Sequence, residues 1–187
     1  MRYSTGFLGI VLGCALIFAS PLGEAAAPPP TRTVLIAPVT IPGLPGAPWG
    51  QCQPVLVFEI TAGGSATQLP SIPAAEVCDP SYAAFDAKGE LFVANRHWSI
   101  GPGSISRFRH DPLVGGFVPN GTIVGNALAG VHQLAFSPTG ELFAANFVNP
   151  TLTISRFVFD AAGNAIPNGT ISTGAGTQGL ALPFTHN

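Results

Sequence analysis

GELFVAN (89–95) returns as GELFAAN (140–146), SISRF (104–108) returns as TISRF (153–157), and PNGTI (119–123) returns unchanged at 167–171. The three blocks keep their order, at offsets of 51, 49 and 48 residues, so one supersecondary unit is used twice with loops that shorten between the copies. A unit of this kind buries its apolar faces only against its neighbours. The fold therefore follows from the repeat.

Each copy reads as four short strands. Strand A ends at 83–85 and 134–136, and a polar turn (86–89, 137–140) closes on a glycine that supplies the positive φ of a tight hairpin. Strand B follows as ELFVAN or ELFAAN, rich in bulky side chains. Strand C is SISRFRH or TISRFVF, where Ile and Phe recur at sheet spacing. Strand D is expected as GTIVG or GTIST, with Pro-Asn-Gly before it as a turn. Nothing beyond Pro54 sustains a 3.6-residue period, so the expected class is all-β, with β-propeller-type blades of four antiparallel strands.

On the strings AAFDAKGELFVAN (83–95) and LAFSPTGELFAAN (134–146), the blade resembles the NHL-repeat and gluconolactonase-like (senescence-marker-protein) β-propeller families. Their repeats run P-x-G-L-A-F-D-x-x-G-x-L-Y-V-A-D/N and end in I-x-x-F. The resemblance implies a propeller blade, which enzymes and binding proteins of those families share. The lactonases among them imply an acidic metal ligand on the inner strand, and this sequence departs from that pattern.

The same frame extends in both directions. VLVFEI (55–60) aligns with strand C, placing Phe58 at the position of Phe108, and 34–37 is an upstream strand B. QGLAL (178–182) repeats the start of strand A. The expectation is two complete blades plus one split blade, a partial propeller over 51–187. A closed ring takes about four blades or more. Three arrangements satisfy this: a piece of a longer propeller, a homodimer completing a six-bladed ring, or an open solenoid, which the hazard of bare strand edges disfavours.

The N-terminal 1–25 reads as a signal peptide. Arg2 starts it, an apolar run covers 7–19, and small residues follow at 23–27. That run is too short to span a bilayer. Residues 26–50 hold seven prolines and read as an extended tether. A secreted or periplasmic location follows, and there Cys52 and Cys78 are expected to form a disulfide. Only 9% of residues are charged and the net charge is -2, which excludes the basic stripe of a nucleic-acid binder. Partners are then a small molecule or a protein.

In an up-and-down blade the B-to-C and D-to-A loops open on one face. That face collects Asn95, His97, Trp98, His132 and Asn146 as candidate ligand-binding residues, with Trp98 available for stacking. Asn95 and Asn146 also end their strands, where an Asn amide commonly satisfies nearby backbone groups. Arg107 and Arg156 recur opposite Glu90 and Glu141 and read as scaffold pairs. The expected function is an exported binding or interaction module for a small or weakly polar ligand or a protein, without a cofactor. The alternative is a metal-dependent, lactonase-like hydrolase. There Asn95, Asn146 and His132 would hold a divalent cation, with Asp79 as the one acid placed to join them.

Overall fold

The computed structural model describes the strand 32–35 and residues 52–60, 64–96, 102–147 and 153–172. Eleven strands make up the described chain: β1 (Arg32–Leu35), β2 (Leu56–Ile60), β3 (Ala66–Gln68), β4 (Pro80–Phe85), β5 (Leu91–Asn95), β6 (Ser104–Asp111), β7 (Gly116–Ile123), β8 (Val131–Phe136), β9 (Leu142–Asn146), β10 (Thr153–Phe159) and β11 (Ala165–Ser172). Among the described residues there is no helix. Sheets β4-β5-β6-β7 and β8-β9-β10-β11 are antiparallel and four-stranded, and β1-β2-β3 forms a third sheet. Two complete blades and one sheet carrying strands B, C and D are therefore present. β1 lies two residues earlier than expected, inside the proline-rich segment.

The hairpin turns follow from their glycines. Gly89 and Gly140 adopt φ of 79° and 82°, and Asp86 Oδ1 accepts the backbone N–H groups of Lys88 and Glu90 at 2.9 and 2.8 Å. Pro-Asn-Gly, in contrast, does not precede strand D. It sits inside β7 and β11 as a β-bulge: Phe108 pairs with Pro119 and Ser106 with Thr122, and Phe157 pairs with Pro167 and Ser155 with Thr170. The extra residue on one strand bends it, and Gly121 and Gly169 take the positive φ (103° and 82°) that this bend needs. A bulge and a turn demand the same residue types, so the sequence pattern does not separate them.

The bulge also aims a side chain. Asn120 Nδ2 donates to Glu90 Oε1 at 2.8 Å while Arg107 pairs bidentately with the same Glu90, and Asn168, Glu141 and Arg156 repeat the arrangement one blade on. Strands B, C and D of each blade are thus tied by one charge-assisted triad.

Blades stack face to face. Leu91 and Val93 of β5 point into a core with Val55, Val57, Ile72, Phe108 and Phe117, while Phe92 and Ala94 point into a second core with Ile105, Leu134, Leu142 and Phe157. All five residues of β5 are buried because each face meets another sheet, so this strand carries an almost continuous apolar run. Close approach also fixes Gly103. A Cβ there would lie 2.8 Å from Val131 Cγ2 and 3.0 Å from the Val131 backbone nitrogen of the following blade. Cys52 and Cys78 form the expected disulfide, 26 residues apart, which fastens the entrance of β2 to the entrance of β4.

Candidate functional site

The loop face is organised by the asparagine that ends each strand B. Asn95 Oδ1 accepts the N–H of Cys78 at 3.2 Å, and its Nδ2 donates to Ser104 Oγ and Ser106 Oγ at 3.1 and 2.8 Å. Ser106 Oγ in turn donates to the Glu76 carbonyl at 2.8 Å. Asn146 reproduces the network one blade later. Its Oδ1 accepts the Ala129 N–H at 3.1 Å, its Nδ2 donates to Thr153 Oγ1 and Ser155 Oγ, and Ser155 Oγ donates to the Asn126 carbonyl. Both asparagines are buried, and both amide hydrogens and the carbonyl oxygen are occupied in each. They clamp the loop that enters strand A onto strand C.

Asp79, which shares the loop entering β4 with the exposed Glu76, sits at a left-handed φ of 49° and meets Arg96 in a two-pronged ion pair, Nε to Oδ2 at 3.2 Å and Nη2 to Oδ1 at 3.1 Å. The Arg96 N–H also donates to the Asp79 carbonyl at 3.1 Å. One blade on, Phe147 donates its N–H to Ala129 and Gly130 in the same way, while Gly130 stands at the position of Asp79. The ion pair of the first blade is thus absent as a unit from the second. That joint replacement of Asp79 and Arg96 by Gly130 and Phe147 is the signal in the repeat that identifies the pair.

His132 lies at a bulge of β8, where Val131 pairs with Asn146 and Gln133 with Ala145. Its ring centroid stands 5.7 Å from that of Phe147 at an interplanar angle of 43°. The matching residue of β4 is Ser81, whose hydroxyl donates to the Val131 carbonyl of the neighbouring blade at 2.7 Å. Tyr82, the next residue on this inner strand, is 38% exposed. His97 and Trp98 lie outside the described residues. Asn95 and Asn146 thus end the second strand of neighbouring blades, and His132 and Phe147 form an aromatic pair beside the latter.

This donor set does not fit a divalent cation. A hard ion takes charged oxygen ligands, but Asp79 already neutralises Arg96 and both asparagine oxygens face backbone N–H groups. Among the described residues, no group of three or more His, Cys, Asp or Glu gathers at one point. Among the described residues, the arrangement offers instead the His132–Phe147 ring pair and the exposed Tyr82, suited to stacking and hydrogen bonding.

No family model and no curated protein matches the chain. Among solved structures it is similar to a provisionally assigned 6-phosphogluconolactonase of Bacteroides fragilis NCTC 9343, with a TM-score of 0.52 and 16% identity over 66% of this chain and 34% of that one. It is also similar to a protein of Lactobacillus plantarum, with a TM-score of 0.48 and 17% identity over 71% of this chain and 38% of that one. The chain spans about a third of the length of these structures. At such identity the first likeness establishes the β-propeller-type fold.

Proposed function

We propose that this chain is an exported binding module of the β-propeller type whose B-to-C and D-to-A loop face takes a small or weakly polar ligand or a protein partner. The observation that carries this reading is the saturation of the polar framework on that face. Asn95, Asn146 and the Asp79–Arg96 pair hold the segments entering β4 and β8, and the His132–Phe147 ring pair beside them offers an aromatic surface to a ligand. The blade motif supports an NHL-repeat or gluconolactonase-like affiliation. Export is supported by the 1–25 segment and by the disulfide, which persists in oxidising compartments.

Lactone hydrolysis is the second reading, favoured by the assignment of the Bacteroides neighbour. It would require Asp79 to leave Arg96 before serving any reaction. A thermal-shift screen of sugars, lactones and peptides, with and without divalent cations, separates the two. Binding without cation-dependent turnover, weakened about tenfold or more by Trp98→Ala with His132→Ala and unaffected by Lys88→Ala with Thr139→Ala on the opposite turns, is the expected result. Turnover of a lactone that needs the cation would establish the hydrolase instead.

A further inference from the structure

The two complete blades differ in how far one sheet face is covered. In the first blade, the side turned toward the second blade is covered: Phe92, Ala94, Ile105 and Ile123 are buried. The repeat puts Phe143, Ala145, Ile154 and Ile171 at the same positions of the second blade, and these are half-buried or exposed, with Ile123 at 5% and Ile171 at 42% exposure. Val158 and Ile166, paired directly opposite each other on β10 and β11, are also exposed on this side. Among the described residues, an apolar surface built from the residues of a blade interface is therefore open.

The covered face shows what closes such a surface. Phe159, at the end of β10, packs on Phe92 at 5.7 Å, and Arg107 lies over both rings at 5.3 and 5.4 Å while its Nη1 donates to the Gly163 carbonyl in the β10–β11 turn at 2.8 Å. Arg156 repeats the position of Arg107, pairing with Glu141 and lying over Phe143 at 5.8 Å. Among the described residues no third turn stands against it.

One other element of this chain has the matching form. The β2–β3 hairpin follows the register of the β10–β11 hairpin at a constant offset of 99 residues. Phe58 pairs with Gln68, Glu59 with Thr67 and Ile60 with Ala66, as Phe157 pairs with Pro167, Val158 with Ile166 and Phe159 with Ala165. Gly64 takes φ of 79° in its turn where Gly163 takes 83°. Val55 and Val57 of this sheet face the first blade and are fully buried, so Leu56, Phe58 and Ile60, on the other side, are half-buried and turned away from it.

We propose that the β10–β11 face of the second complete blade receives the β2–β3 hairpin of a second copy of this chain, with Arg156 donating to the Gly64 carbonyl as Arg107 donates to Gly163. The two surfaces are different patches, so the contact is heterologous, and two copies close it when each offers both.

Sedimentation velocity on the full chain tests this. The chain is expected to be a dimer at micromolar concentration, and Ile171→Asp and Phe58→Asp are each expected to be monomeric. An equimolar mixture of the two variants keeps one intact junction and is expected to form a heterodimer. Arg156→Ala is expected to weaken association about tenfold, and Leu113→Asp, on the exposed turn of the first blade, to leave it unchanged. Because Ile171 is exposed, its variant keeps the β-sheet circular dichroism of the parent, which shows that its loss of association is not unfolding. A monomeric parent, a dimer indifferent to Ile171→Asp, or variants that fail to associate on mixing would overturn the proposal.

Discussion

At the scale of single residues, Asn95 and Asn146 show how one side chain can serve a fold and still stand beside a binding face. Each fills three hydrogen bonds that link strand B, strand C and the loop entering strand A, so removing the amide strands buried hydroxyls and a backbone N–H. Asn95→Ala and Asn146→Ala are each expected to destabilise the protein by about 3 kcal/mol, measured by urea unfolding, because unsatisfied buried groups retain their full desolvation penalty. Asp160 is a second local case. The Asn164 side-chain amide, helped by backbone N–H groups of the same turn, holds its carboxyl below the ordinary aspartate range. A carboxyl depressed on folding contributes stability above its unfolded pKa, and that contribution disappears as pH falls through the folded value. An NMR titration is expected to show the low midpoint, and Asn164→Ala to raise it toward the ordinary value. That each asparagine ends its strand was legible in the sequence, but its hydroxyl partners on strand C were not, since pairing across the sheet brings them together. The Asp79–Arg96 pair leaves a fainter trace, a difference between the copies rather than a repeated motif, since Gly130 and Phe147 replace both partners together.

At the scale of elements, strand identity was legible and strand D's beginning was not. Residues 119–121 form a bulge whose Asn120 completes the triad with Glu90 and Arg107, and a sequence pattern cannot distinguish that from a turn because both need Gly at positive φ. The two triads differ in surroundings. Side-chain exposures are 11% and 14% for Arg107 and Glu90, against 33% and 16% for Arg156 and Glu141. Arg107→Ala, which leaves Glu90 largely desolvated and uncovers Phe92 and Phe159, is expected to cost about 3 kcal/mol. Arg156→Ala in the monomeric Ile171→Asp background is expected to cost less than about 1 kcal/mol, as for a pair with access to water. Thermal and urea unfolding of the two variants check the contrast. The Cys52–Cys78 bridge acts between elements, binding the first sheet to the first complete blade. Peptide mapping without reductant is expected to recover the linked pair, and Cys52→Ser with Cys78→Ser to lower stability by about 3 kcal/mol on loop-closure grounds.

At the scale of the whole molecule, stability is set by how many neighbours each sheet has. The first complete blade has a neighbour on both sides, and Leu91, Phe92, Val93 and Ala94 are buried in alternation between two cores. The second blade has one described neighbour, and β11 is half-buried at its first residue and exposed along the rest. In a stack where each repeat contacts only adjacent repeats, opening begins where one interface is missing. Native-state hydrogen exchange is therefore expected to show the slowest amides in β5 and β6 and the fastest ladder amides in β11, although the backbone pairing of β10 with β11 is as regular as that of β6 with β7. The order comes from packing rather than hydrogen bonding, so it is expected to change with assembly. In the associated parent, β11 gains protection and approaches β7, whereas in Ile171→Asp it remains fast at every concentration. Uniform protection of β7 and β11 in the monomeric variant would show that β11 draws its stability from within its own sheet.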